Sequence, residues 1–171
     1  SFPALIAAVT DNDGVQTGTH RTWLDPSGGM KAMLASPRRA MGNILGNAVR
    51  FGHADDVMIA GEGIETMLSL REILPTMPMA AATSSAHLAA IMFPPTLQRL
   101  YVARDRDAAG DAAFGILTDR AQAAGIELMS LMPELGDFND DLREHDASVL
   151  GQQVCLLLHE HDRTRFFNDT G

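Results

Sequence analysis

From residue 55 onward, short apolar runs alternate with longer stretches of helical period. Val57-Met58-Ile59-Ala60, Met79-Ala80-Ala81-Ala82, residues 98–103 and residues 126–132 each read as a buried strand. Between them, 64–74, 86–92 and 108–124 read as helices. Pro75 closes the first helix, Ser84 or Ser85 caps the second before Pro94-Pro95, and Gly125 ends the third. Such alternation implies a parallel sheet with helices packed on it. Another helix is expected at 147–160, with 161–171 as a polar, frayed tail.

The first 54 residues have a different rhythm. Residues 3–10 read as a strand, Asp11-Asn12-Asp13-Gly14 as a turn, and 17–24 as the returning strand of a hairpin. Pro26-Ser27-Gly28-Gly29 marks a second turn, and Lys31 to Ser36 a short third strand. From Pro37 onward, Gly42, Gly46 and Gly52 interrupt a segment with no assignable period. The expected fold is α/β: about four parallel strands flanked by helices, preceded by a small β-hairpin subdomain. The divisions are a β-rich part at 1–54, the α/β unit at 55–146, and a C-terminal helix and tail at 147–171.

The 171 residues, 46% of them hydrophobic, suffice for one domain with a small appendage. No apolar run reaches the length of a membrane span, and the apolar N-terminus lacks the basic start of a secretory signal. A first residue of Ser rather than Met suggests a piece of a longer protein. The single cysteine, Cys155, excludes an internal disulfide and a four-cysteine zinc ribbon, so a reducing cytoplasm is expected. The net charge of −9 argues against a broad nucleic-acid surface but not a local one. Arg21, Lys31, Arg38, Arg39 and Arg50 all precede the first acidic cluster, which hints at a phosphate-binding side.

Chemistry concentrates where apolar strands end. Glu62 lies between Gly61 and Gly63, which are expected to allow a sharp turn and the approach of a phosphate. Asp105 and Asp107 follow residues 98–103. Ligands of open α/β sheets sit outside the carboxyl ends of strands, so these three acids should converge on one edge. Converging carboxylates repel unless a cation joins them, and hard oxygen donors favour magnesium. Each acid also has a plain structural role open to it. Glu62 suits a helix N-terminus, and either Asp suits an N-cap. Glu65 either supports the cluster or is an ordinary first-turn acid. Arg104 and Arg106 are expected to form ion pairs. A third cluster, Gly136-Asp137-Phe138-Asn139-Asp140-Asp141, offers Asp137 as another metal contact, with Asn139 and Asp140 as caps. No nucleophile elbow, dinucleotide fingerprint or P-loop is present, the six histidines are scattered, and most of the ten methionines fall at core spacing.

Glu62 after one strand and Asp105-Arg106-Asp107-Ala108-Ala109-Gly110 after a later one resemble the Toprim domain of bacterial-type primases, topoisomerases, OLD-type nucleases and RecR-like repair proteins. The resemblance covers about residues 55 to 142. It implies that Glu62, Asp105 and Asp107 hold Mg²⁺ or Mn²⁺, with Asp137 as a further contact. A type IA topoisomerase needs a nucleophilic tyrosine, whereas the one tyrosine, Tyr101, lies in an apolar strand. The cysteine zinc motif of RecR-like proteins is absent.

Gly18-Thr19-His20-Arg21-Thr22-Trp23-Leu24 and Lys31-Ala32-Met33-Leu34-Ala35-Ser36-Pro37 are similar to the stretch before the Toprim core of bacterial primases. By that resemblance Arg21 and Lys31 contact nucleotide or template, and Glu62 assists removal of the 3′-hydroxyl proton. The implied activity is metal-dependent synthesis of short RNA primers from ribonucleoside triphosphates on single-stranded DNA. The implied parent is a replication or mobile-element protein carrying a helicase or zinc-binding region. A Toprim metal-dependent nuclease and a non-catalytic binding module stay open as alternatives.

Overall fold

The alternating residues at the N-terminus build a three-stranded antiparallel sheet of β1 (Ala4–Thr10), β2 (Gln16–Trp23) and β3 (Arg38–Gly42), in that order. The third strand is not the expected 31–36. Only Lys31 pairs there, through an isolated bridge to Leu24, and the strand proper begins at Arg38. The computed structural model describes residues 2–27 and 30–167, so Gly28 and Gly29 of the expected turn lie outside it.

Next come β4 (Val49–Phe51), β5 (Val57–Gly61), α1 (Ile64–Ile73), β6 (Met79–Ala81), α2 (Ser85–Ala89) and β7 (Arg99–Ala103). They are followed by α3 (Ala108–Ala124), β8 (Glu127–Leu131), α4 (Phe138–Glu144), α5 (Ala147–Leu157) and α6 (Glu160–Phe167). The larger sheet has the order β4-β6-β5-β7-β8. The four expected strands are mutually parallel, and β4 adds a fifth, antiparallel to β6. Val49–Phe51, placed by the sequence in the N-terminal part, thus belongs to the larger sheet. Its three residues are too few to show a period beside so many glycines.

β5 is buried along its whole length between β6 and β7, which is why it reads as a continuous apolar run. Alternate side chains serve two cores. Val57, Ile59, Tyr101, Ala103 and Leu131 pack with residues of α1, α4, α5 and α6. Met58, Ala60, Leu100 and Val102 pack with residues of α2 and α3. Each large apolar side chain buried in this way contributes about 1.5–3 kcal/mol. Val9 of β1 and Leu5 and Ala7 beside it join the first core, so the small sheet packs onto the large one.

The C-terminal helix expected at 147–160 is two helices, broken at Leu158, whose backbone is extended. Part of the expected frayed tail is therefore ordered helix, while residues 168–171 lie outside the described part. α6 is polar in sequence but anchored by a charge. Asp162 is fully buried and accepts from Tyr101 Oη at 2.6 Å and from Arg99 Nη1 at 2.8 Å. Tyr101, as expected, is buried, and its hydroxyl also accepts from the His159 N–H at 2.9 Å. Burial and the Asp162 carboxylate push the Tyr101 hydroxyl far above its usual pKa. Among the described residues, no helix is long and apolar enough to cross a membrane.

Candidate active site

β5 and β7 end side by side, with Gly61 in register with Ala103. Glu62 and Asp105 therefore leave the sheet at the same edge, and Asp137 arrives there from the loop after β8. All three line a cleft of about 510 Å³. Lys31 and Arg38 line it from the N-terminal part, and Glu65, Asn139 and Arg143 from the larger unit.

The glycines flanking Glu62 act by packing rather than by a left-handed turn. Neither has a positive φ, and Gly63 is extended at φ −90°. A Cβ on Gly61 would stand 2.6 Å from the Met67 methyl and 3.1 Å from the Ala103 carbonyl oxygen. The ladder continues past the strand, because Thr83 donates its N–H to the Glu62 carbonyl at 2.8 Å. Thr83 does so at φ +72°, the sole non-glycine positive φ among the described residues.

The two aspartates after β7 have separate fates. Asp107 caps α3, its Oδ1 accepting from the Gly110 N–H at 2.7 Å. Asp105 caps nothing, and its Oδ1 is buried without a hydrogen-bond partner. Its carboxyl is pushed up to about 6, first by burial and then by the charges of Glu62, Asp137 and Asp107, against the pull of Arg38. The Glu62 carboxyl is also raised, by burial and by Asp107, with Arg38 and the Ser85 N–H opposing. The expected four acids are thus within electrostatic reach of one another, although Asp107 is not part of the cleft lining. Among the described residues, no three of His, Cys, Asp and Glu stand close enough to hold one ion between them.

Asp137, rather than Asn139 or Asp140, caps α4 by accepting from the Asp140 N–H at 2.8 Å. Asn139 is left free to line the cleft. Fully buried Asp141 accepts from the Glu134 and Leu135 N–H groups at 2.8 and 2.7 Å and so shapes the loop that delivers Asp137.

Lys31 lines the cleft, but Arg21 does not. On β2 the inward residues are His20 and Thr22, both buried, and Arg21 falls on the opposite face. There it pairs in register with Ile6 and Arg39, its guanidinium 4.3 Å from the centre of the Trp23 ring. The arginine that the small sheet brings to the cleft is Arg38, across from Thr22. Lys31 Nζ lies 3.2 Å and Arg38 Nη2 3.4 Å from Glu65 Oε1. These cations and burial also hold buried His20 below its usual pKa, with burial the larger cause. The sequence singled out neither Arg38 nor His20 for the site; the basic cluster ahead of Glu62 was the one pointer to Arg38. Arg104 forms the expected ion pair, with Asp111, and stacks on Phe114. Arg106 instead donates to the Pro133 carbonyl at 2.7 Å.

Hard carboxylate oxygens beside ammonium and guanidinium groups suit a divalent cation and a phosphate-bearing ligand together. A Toprim domain family model matches residues 57–148, and a model for a domain of unknown function, DUF7146, matches residues 1–51. No curated protein gives a significant match. Among solved structures, the Aquifex aeolicus primase, with its zinc-binding and RNA polymerase domains, superposes with a TM-score of 0.63 at 14% identity over 94% of this chain and 44% of that one. A DNA primase domain from Pseudomonas aeruginosa gives 0.60 at 14% identity over 88% and 50%. The primase fragment of the bacteriophage T7 primase-helicase protein gives 0.58 at 17% identity over 90% and 64%. The chain thus spans less than two thirds of each of these primase chains. With more than half of its residues matched by the domain model, both acidic motifs included, the chain belongs to the Toprim domain family and has the primase-like form of that fold.

Proposed function

We propose that the cleft performs metal-dependent nucleotidyl transfer of the primase type, joining ribonucleotides into short primers on single-stranded DNA. The observation that carries this proposal is the meeting of Glu62, Asp105 and Asp137 with Lys31 and Arg38 in one cleft. The residues fit a divalent cation. The buried, unpartnered Asp105 Oδ1 and the raised carboxyls of Glu62 and Asp105 are what a site built for an added positive charge would show. Such an ion needs only one or two carboxylates beside water and substrate phosphate, so Asp105 with Glu62 or Asp137 would hold Mg²⁺ or Mn²⁺ although no three acids close on one point, and Asp107 would add its charge. When bound, the ion would offset the charge that develops on the transferred and leaving phosphates.

The remaining work falls to the chain itself. Lys31 and Arg38 bind and orient the triphosphate by charge-assisted hydrogen bonds. Glu62, at the strand end, accepts the proton of the primer 3′-hydroxyl. Asn139 and Arg143, which also line the cleft, would contact the template or the sugar. A helicase or zinc-binding region elsewhere in a longer parent protein would assist in gripping the template.

The test is incubation with single-stranded DNA, labelled ribonucleoside triphosphates and Mg²⁺ or Mn²⁺, beside a Glu62→Ala control. Labelled oligoribonucleotides that vanish in the control support the proposal. Degradation of the DNA replaces it with a metal-dependent nuclease. Neither product, with no heat of divalent-ion binding in calorimetry, leaves a non-catalytic binding module.

A further inference from the structure

Glu65 is the first-turn acid of α1, three residues beyond Glu62. One of its oxygens, Oε1, faces two cations: Lys31 Nζ at 3.2 Å and Arg38 Nη2 at 3.4 Å. The two come from separate stretches, the segment after β2 and the first residue of β3. Their side chains are 40% and 39% exposed, and that of Glu65 33%, so these ion pairs contribute little to folding. Their geometry matters more. One carboxylate cannot neutralise two cations, so the trio keeps a net positive charge beside the Glu62, Asp105 and Asp137 carboxylates.

Arg38 is also the cation that both Glu62 and Asp105 feel, favouring their ionised forms. A guanidinium freed from Glu65 has an obvious second partner in that carboxylate cluster. There it would occupy the oxygens a divalent ion needs, with a bidentate geometry that a lysine cannot match.

We propose that Glu65 is a positioning residue. It holds Arg38 and Lys31 off the carboxylate edge, which leaves Glu62 and Asp105 to a divalent cation and leaves the two cations to a phosphate group. This inference rests on the metal-dependent function proposed above and assigns Glu65 no contact with the reacting atoms.

The test is calorimetric titration of the protein with Mn²⁺ alone, without nucleotide or turnover. Glu65→Gln is expected to weaken Mn²⁺ binding about tenfold, and Glu65→Gln combined with Arg38→Ala to restore it to within about threefold of the parent. Such rescue is the signature of a competing guanidinium. A residue that merely ties the small sheet to α1 predicts none, because the double variant has lost both partners. Unchanged affinity in Glu65→Gln, or no rescue in the double variant, overturns the inference and leaves the metal-dependent function standing. A parent protein that binds no Mn²⁺ removes that function, and the inference with it. If circular dichroism shows Glu65→Gln unfolded, Arg38→Ala alone decides. Equal or tighter Mn²⁺ binding with weaker ATP binding supports the positioning role, and weaker Mn²⁺ binding overturns it.

Discussion

The Cβ that Gly110 lacks would stand 2.5 Å from the carbonyl oxygen of Asp105. The contact is backbone, with the Asp105 carbonyl carbon and nitrogen each 3.4 Å away, so no flexible side chain can give way. The first turn of α3 therefore sits directly on the residue that leaves β7, and the Gly110 N–H binds the capping Asp107. This is the physical content of the Asp-x-Asp-x-x-Gly spacing: three residues hold the strand-to-helix turn in one shape. Gly110→Ala must move Asp105, at a cost of about 1–3 kcal/mol. Thermal denaturation should show a lower Tm and metal titration a weaker site. An unchanged Tm would contradict the close approach.

Burial and like charges raise Asp105 to about 6, above the ordinary 3.8. A carboxyl raised on folding favours the folded state fully below its unfolded pKa, and that advantage is lost as pH climbs through the folded value. Without divalent ions, the fold should therefore lose stability between about pH 4 and pH 6. Asp105→Asn removes the loss, so the variant should be more stable than the parent by about 1–2 kcal/mol at pH 8 and no more stable at pH 4. Urea denaturation in EDTA at the two pH values measures this.

Protons and cations compete for the same oxygens. Mn²⁺ affinity measured by calorimetry should rise about tenfold per pH unit up to about pH 6 and level off above it. Asp105→Asn should remove most of the binding and leave only the weaker dependence due to Glu62. A profile that is flat from pH 5 to pH 7.5 would exclude Asp105 from the site.

Asp162 carries the docking of α6. Replacing it with Ala leaves the Arg99 guanidinium and the Tyr101 hydroxyl without their shared acceptor, at a cost of about 3–5 kcal/mol. Tyr101→Phe removes a single hydroxyl and should cost about 1–2 kcal/mol. In limited proteolysis, Asp162→Ala should open cleavage sites within residues 159–167 while α1 to α3 stay protected. Equal protection of α6 in both proteins would show that the buried Phe166 and the Arg165–Asp56 ion pair suffice to anchor it.

The two basic residues assigned to nucleotide by the sequence should now behave differently. Lys31→Ala should weaken ATP binding by about tenfold, the loss of one charge-assisted contact. Arg21→Ala, on the far face of β2, should leave ATP affinity within about twofold of the parent and loosen only the packing on Trp23. Fluorescence titration with a labelled ATP analogue separates the two.

The parallel strands, their helices and the acids at the strand ends were legible in the order of residues alone. Those features are written in local terms: a run such as Val57–Gly61 is apolar because both its faces are buried, and a residue directly after it must emerge at the sheet edge. Glu62 and Asp105 follow from that rule, as does the burial of Tyr101. Lys31 reached the cleft through a resemblance, not through any period. What tertiary structure decided was every matter of partner and side. Arg38 meets Glu65 across 27 residues, and Asp162 meets Tyr101 across 61. The helix at 160–167 is polar in sequence and holds its place through that distant carboxylate, the buried Phe166 and the Arg165–Asp56 ion pair. Arg21 and Arg38 look alike as letters near one another, yet strand register sends one to the outer face and the other into the cleft. Charge and burial act through space, and a chain read in order shows where a side chain starts but not what it will meet.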